Sequence, residues 1–232
     1  MSTALLTPTE KARAAEDLVV RELANASLRA PVLTNSFQAE DMVLLDIVRR
    51  HLPQIPVVFL ETGYHFPEVL AYRDRMAAEW QMNLINVYPE QTVAEQEALF
   101  DILYQTEPGR CCGMRKVKPL FAALENYSVW FTGLRREQAK TRTGIEEIAD
   151  FTLPTGTVIR KLSPLTDWTA KDVWTYAAEH NIPLLDLYDR GYTSIGCAPC
   201  TSIPTDPNDP RSGRWGGQKT ECGIHIQTPT HN

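Results

Sequence analysis

Five cysteines carry most of the reactive chemistry of this chain: Cys111, Cys112, Cys197, Cys200 and Cys222. Cys111 and Cys112 are adjacent. Neighbouring Cα atoms lie about 3.8 Å apart, below the roughly 4.4–6.8 Å of a relaxed disulfide, so a bridge between them is strained. Cys197-Ala-Pro-Cys200 is a C-x-x-C pair, and Cys222 stands alone in Thr-Glu-Cys-Gly-Ile-His. An odd count without a secretory pattern argues against a disulfide framework. Two pairs plus one thiol read as a metal or cluster site and a reactive cysteine. A four-cysteine zinc site uses two knuckles with spacers, and Cys111-Cys112 has none. Iron–sulfur clusters take four thiolates at varied spacings. One [4Fe–4S] cluster is therefore the favoured reading, with zinc, free buried cysteines and a redox dithiol at Cys197/Cys200 as alternatives. A nucleophilic cysteine needs its thiolate, which neighbouring cations or His⁺ favour. Lys219 and His225 lie three residues either side of Cys222. Glycines at 213, 216, 217 and 223 predict a tail that can move.

Positive charge is concentrated in the segments 110–118, 135–142 and 211–219, which hold eleven of the 23 Lys and Arg. Net charge is −6, so bulk attraction to nucleic acid or to an anionic membrane is not expected. Isolated basic clusters on an acidic chain point instead to a local anion site, where arginine forks pair with phosphate or sulfate oxygens.

The elements that must position these groups alternate. Helices are expected at 9–28, 41–52, 67–80, 92–104, 114–124 and 169–180. Strands are expected at 31–36, 56–60, 83–88, 128–132, 151–152 and 158–162. Alternation from 31 to 132 predicts an α/β fold with a parallel sheet covered by helices on both faces. Ligands of such sheets bind at the carboxyl ends of the strands. Three loops fall there: Ser36-Phe-Gln-Ala-Glu-Asp41, Glu61-Thr-Gly-Tyr-His65 and Gly133-Leu-Arg-Arg-Glu137. Residues 1–185 are expected to form the α/β domain, carrying Cys111 and Cys112. Residues 186–232, rich in Gly, Pro, Asp, Ser and Thr, are expected to form an irregular C-terminal segment with the C-x-x-C pair and Cys222. No apolar run reaches the ~18–20 residues of a membrane helix, and the N-terminus lacks a signal-peptide pattern. A cytoplasmic location is expected.

The combination of Cys111-Cys112, Cys197-Ala-Pro-Cys200, Thr132-Gly-Leu-Arg-Arg-Glu-Gln138 with Thr141-Arg142, and Glu221-Cys222-Gly-Ile-His225 resembles the assimilatory adenylyl-sulfate reductases. These are the iron–sulfur branch of the phosphoadenylyl-sulfate reductase family. The resemblance spans about residues 15–226. It implies an adenine-nucleotide α-hydrolase-like fold whose pyrophosphatase loop, Ser36–Asp41, lacks the glycines of ATP-cleaving relatives. It implies thioredoxin-dependent reduction of adenosine 5′-phosphosulfate to sulfite and AMP, as in cysteine biosynthesis, through an S-sulfonate on Cys222. It implies one [4Fe–4S] cluster on Cys111, Cys112, Cys197 and Cys200, with an electrostatic and structural role. Lys116, Arg142, Arg211 and Arg214 would bind the phosphosulfate, with His225 also at the substrate. Ser36, Gln38, Glu61, Thr62 and Gly63 would line the adenosine pocket. Reduced thioredoxin is the implied partner, with no nucleic acid and no membrane, and a homo-oligomer is compatible with the sequence. The alternatives are a reductase of the 3′-phosphorylated nucleotide and, further off, an iron–sulfur ATP-dependent tRNA thiolase. The second needs the glycine-rich loop that Ser36–Asp41 departs from.

Overall fold

The structure, a computed structural model, describes residues 6–25 and 30–226. The elements follow in chain order. They are α1 (Pro8–Asn25), β1 (Pro31–Thr34), α2 (Ala39–Arg49), β2 (Pro56–Leu60), α3 (Pro67–Glu79) and β3 (Asn83–Val87). Next come α4 (Val93–Phe100), α5 (Leu103–Thr106), α6 (Pro108–Cys112), a π-helical turn (Gly113–Val117) and α7 (Lys118–Leu124). The chain closes with β4 (Val129–Phe131), β5 (Ile148–Thr152), β6 (Val158–Leu162) and α8 (Ala170–Glu179). Positions 26–28 of the first expected helix lie outside the described residues. After α8 the described chain has only turns, short 3₁₀ segments and one bridge, Thr201 to Arg214.

The sheet runs β3-β2-β1-β4-β6-β5. All pairings are parallel except β5–β6, which is antiparallel. The parallel sheet expected from the alternation over 31–132 is present, and β5 adds an antiparallel edge to it. Residues 153–157 join β5 to β6, and a parallel crossover needs a dozen or more residues. Strand order reverses between β1 and β4, which opens a crevice at the carboxyl ends of the strands.

Alternation along each strand separates two cores. On one face Leu33, Val57, Phe59, Phe131 and Leu162 pack against α2, α3 and α8. On the other, Val32, Val58, Trp130 and Ile159 pack against Leu120, Phe121 and Leu124 of α7. Local chemistry fixes the helix starts. Thr169 accepts from the Asp172 amide while the Asp172 carboxylate takes the Thr169 amide, closing a capping box on α8. Pro67 fills the first turn of α3. The expected 92–104 helix is split at Asp101, whose φ is 58°.

Trp130 is fully buried and donates its indole N–H to Thr34 Oγ1 at 2.9 Å. Trp130→Ala is expected to destabilise the fold by about 3–5 kcal/mol. A urea midpoint unchanged from wild type would contradict that.

Candidate active site

The crevice at the β1/β4 switch point is a single cleft. Eight residues singled out from the sequence line it: Ser36, Gln38, Lys116, Arg142, Arg211, Arg214, Cys222 and His225. Its floor comes from the ends of β1, β2 and β4, including Thr34, Leu60 and Thr132.

The loop after β1 is held by Asp41, at the start of α2. Its carboxylate accepts from the Ser36 amide at 2.7 Å and from Ser36 Oγ at 2.6 Å. Gly133 passes so close that a Cβ there would strike the Asp41 side chain. Gln38 ties the loop to the C-terminal segment, accepting from the Ile195 amide at 2.7 Å and donating to Ser36 Oγ at 3.1 Å. Burial pushes the Asp41 carboxyl up to about 6, against the pull of its Ser36 hydrogen bonds. A carboxyl raised on folding adds stability below its unfolded pKa and loses it as pH rises through the folded one. The wild type should therefore lose ground to Asp41→Asn between about pH 4 and pH 7, by up to about 3 kcal/mol. Parallel denaturation curves for the two proteins across that range would refute the assignment.

The four cations expected at the anion site share the cleft with Cys222, and a fifth, Arg135, is paired there with Glu40 and Glu137. Lys116 and Arg214 have no carboxylate partner among the described ion pairs. Both interact electrostatically with the Cys222 thiol. Burial disfavours the Lys116 charge, but Cys197 and Cys222 outweigh it and hold its pKa up. Arg214 lies over the Trp215 ring at 4.4 Å and donates to the Cys200 carbonyl at 3.3 Å. It crosses Gly196 so closely that any Cβ there would collide with the guanidinium. Arg142 and Arg211 are instead engaged by Glu221 of the tail. Two buried polar atoms on the cleft have no partner among the described residues: Arg211 Nε and His225 Nδ1. Unpaired buried polar groups of this kind cost about 1–3 kcal/mol unless a ligand satisfies them.

His225 stacks on Trp130 with ring centroids 5.4 Å apart. Burial, together with Lys161, Arg142 and Arg211, holds its pKa well below the ordinary imidazole value. His225 is thus neutral and supplies no cation to Cys222. Lys219 sits over Trp215 at 5.4 Å. The expected cationic role of His225 beside Cys222 is therefore corrected, while Lys116 and Arg214 share the cleft with the thiol. Of these, Lys116 comes from a distant part of the chain.

Behind the cleft, Cys111, Cys112, Cys197 and Cys200 line a second, smaller cavity. Lys116 and Trp215 line both cavities and so form the wall between them. Cys111 and Cys112 end α6, and the π turn that follows carries Arg115 and Lys116. π turns are bulges inserted into a helix, frequently at functional sites. Here Arg115 is buried toward the cysteines while Lys116 also reaches the cleft. Burial and the neighbouring thiols push Cys111 and Cys200 up to about 11. Thr62 Oγ1 lies 3.3 Å from Cys197 Sγ. Among the described residues no three His, Cys, Asp or Glu side chains are arranged to hold a single metal ion.

Residues 30–203 match the phosphoadenosine phosphosulfate reductase domain, three quarters of the chain. The chain belongs to the phosphoadenosine phosphosulfate reductase family. It is 44% identical over 194 residues to an adenosine 5′-phosphosulfate reductase of Geobacillus kaustophilus, covering 82% of this chain and 81% of that one. It is also 44% identical over 200 residues to a phosphoadenosine 5′-phosphosulfate reductase of Gloeobacter violaceus, covering 84% and 82%. Among solved structures it is similar in fold to a phosphoadenylyl-sulfate reductase from Candida auris in a phosphate complex. The TM-score is 0.68 at 23% identity, covering 87% of this chain and all of that one.

Within this reductase fold, Glu61, Thr62 and Gly63 do not line the cleft. Glu61 pairs with Arg73 at 2.9 Å and accepts from the Gly63 amide at 3.0 Å. Thr62 faces Cys197, and its carbonyl accepts from Arg115. A Cβ on Gly63 would come within 2.7 Å of Val93. Sequence reasoning misses the roles of Asp41, Lys161 and Glu221. Asp41 reads from the sequence only as a helix start. Lys161 is 8% exposed, over the Trp130 ring at 4.9 Å, and burial with Arg142 nearby lowers its pKa to about 7. No local pattern marks it. Glu221 belongs to the Glu221–His225 motif, which marks its position but not its pairing with Arg142 and Arg211.

Proposed function

We propose that this chain reduces adenosine 5′-phosphosulfate to sulfite and AMP in assimilatory sulfate reduction. The observation that carries the reading is a free cysteine, Cys222, in one cleft with Lys116, Arg211 and Arg214 at a nucleotide-type switch point. Relatives named adenosine 5′-phosphosulfate reductase, 44–45% identical across about four fifths of the chain, support the substrate.

The nucleotide lies with its adenosine against Ser36, Gln38 and the strand ends, and with its sulfate toward the cations. Cys222, as thiolate, attacks the sulfate sulfur. An S–S bond forms, the bond from sulfur to the bridging phosphate oxygen breaks, and AMP leaves with that electron pair. Lys116, Arg211 and Arg214 offset the charge that builds on the sulfonyl and phosphate oxygens. A reduced dithiol protein, thioredoxin, then attacks Cys222 Sγ. Sulfite leaves, a mixed disulfide forms, and the second thiol of the partner releases Cys222 as a thiol. The two electrons come from the dithiol, which ends as a disulfide.

Cys111, Cys112, Cys197 and Cys200 would hold one [4Fe–4S] cluster. The fit rests on four thiols around one cavity, two of them resisting ionisation through burial and mutual repulsion. A cationic iron core removes that obstacle, because a coordinating thiol is deprotonated outright. Bound there, the cluster would contribute charge and hold the two cysteine pairs together behind Lys116.

Replacing Lys116, Arg142, Arg211 or Arg214 by Ala is expected to weaken turnover by about 1.5–3 kcal/mol, roughly ten- to a hundred-fold. Exposed charges rarely matter this much. Unchanged kcat/KM in all four variants would remove the proposed anion site.

A second reading, reduction of the 3′-phosphorylated nucleotide, is favoured by the name of the Gloeobacter relative. Measuring kcat/KM on both nucleotides with thioredoxin present decides between them. The account expects the unphosphorylated nucleotide to win, and equal or reversed preference would transfer the assignment.

A further inference from the structure

Glu221 precedes the proposed nucleophile and is tied down by charge on both carboxylate oxygens. Its Oε1 accepts from Arg142 Nε at 2.8 Å and from Thr141 Oγ1 at 2.9 Å. Its Oε2 accepts from Arg142 Nη2 at 2.8 Å and lies 3.5 Å from Arg211 Nη2. The carboxylate and both guanidinium groups are largely buried, with side chains 10%, 12% and 15% exposed. Arg142 and Arg211 in turn hold the Glu221 carboxyl below its ordinary value, against the cost of burial.

Both flanks of this contact are also anchored. Arg211 Nη2 donates to the Thr220 carbonyl at 3.1 Å, just before Glu221. Past Cys222, Ile224 packs against the Trp130 cluster and His225 stacks on Trp130 itself. Arg142 is fixed from its own side by a hydrogen bond to Gln138. A bidentate Arg–carboxylate pair is directional as well as strong, and partly buried pairs escape much of the screening that weakens surface ones. The pair therefore sets both the position and the register of the residue that follows it.

We propose that Glu221 is the docking residue of the C-terminal tail: its carboxylate clamps onto Arg142 and Arg211 and so delivers Cys222 to Lys116 and Arg214. Arg142 and Arg211 receive the tail, with Arg211 Nε unpartnered among the described residues. Lys116 and Arg214, and Arg211 with them, act electrostatically on the thiol. Glu221 touches no reacting atom in this arrangement and is a positioning residue. Its kinetic consequence rests on the reading of Cys222 as nucleophile, but the docking itself does not.

The test uses the full chain with its cluster, comparing wild type, Glu221→Gln, Arg142→Gln and the double variant. The first readout is the rate of Cys222 alkylation by N-ethylmaleimide, a neutral probe, followed by peptide mapping. Undocking predicts at least fivefold faster alkylation in Glu221→Gln. The second is single-turnover S-sulfonate formation from adenosine 5′-phosphosulfate without reductant, expected to fall at least tenfold. Affinity for the nucleotide, measured in a Cys222→Ser background, should stay within about threefold for Glu221→Gln. The double variant should alkylate no faster than the faster single variant, because the pair acts as one unit. Alkylation within twofold of wild type in Glu221→Gln would overturn the proposal, as would additive effects in the double variant. Tighter nucleotide binding with faster S-sulfonation would also overturn it, making Glu221 a competitor of the substrate. If wild type forms no S-sulfonate at all, the proposed reaction fails while the alkylation series still decides the docking.

Discussion

Cys222→Ser should abolish sulfite formation and S-sulfonate formation together, while nucleotide binding and iron content stay at wild-type values. The proposed function sets two chemical tasks for five cysteines. Ligand thiolates commit their electron pairs to iron, and four of the five surround one small cavity. Of the five, Cys222 alone lines the cleft with the cations. A serine hydroxyl is close in size, so the tail contacts of Glu221, Ile224 and His225 should persist in the variant. Its alkoxide is far harder to form at neutral pH than a thiolate. It also could not complete the cycle, since a dithiol releases sulfite only from a sulfur–sulfur bond. The loss should therefore be complete rather than partial. Equilibrium dialysis with the nucleotide, iron analysis and a sulfite assay separate the three properties. Sulfite release by Cys222→Ser at even a tenth of the wild-type rate would discard the nucleophile.

The second large effect concerns the other cysteines. Replacing any one of Cys111, Cys112, Cys197 or Cys200 by Ser should strip most of the iron and most of the activity. Thiolate is the soft ligand that iron–sulfur clusters select, and a serine oxygen is a poor substitute. The consequence should reach the cleft. Lys116 lies on the π turn that continues the helix from Cys112, and it lines both cavities. Arg214 donates to the carbonyl of Cys200, and the Ala198 amide donates to the carbonyl of Tyr64 at 2.7 Å. Loosening either cysteine pair therefore displaces a cation that acts on Cys222. Iron content and the visible absorption of anaerobically purified variants provide the check. Stoichiometric zinc without iron in active wild-type protein would reject the cluster.

Much of this architecture was legible in the sequence, for identifiable reasons. The run Pro56–Leu60 is short, apolar and bounded by loops, and it forms β2 at those residues. Thr169 with Asp172 spells its own cap, and α8 starts there. The cysteines stood out because reactive residue types can be read without knowing the fold. What failed to show depends on distance along the chain. The expected 114–124 helix lies within a helical run that begins at Pro108 and passes through a π turn, which places Cys111 and Cys112 on the helix itself. No periodic pattern announces that turn. Ile148, Ala149 and Asp150 of β5 carry no strand signal, because Ile148–Thr152 is an edge strand recruited by its hairpin with β6. In the site, Glu221 and Arg142 are 79 residues apart, so their pairing has no local signature. Lys161 lies beside its cross-strand neighbour Trp130, over that ring. Glu61 and Thr62 are engaged by Arg73, Arg115 and Cys197 rather than by the cleft.

In the proposed reaction Cys222 takes the sulfonyl group directly from the nucleotide. Incubating the wild-type protein with sulfur-labelled adenosine 5′-phosphosulfate, without any thiol reductant, tests it most directly. Proteolysis and mass mapping should then find label on the peptide containing Cys222 alone, as a thiol-labile S-sulfonate that added reduced thioredoxin converts to free sulfite. Label on Cys111, Cys112, Cys197 or Cys200, or sulfite released with no covalent intermediate on Cys222, would contradict the account.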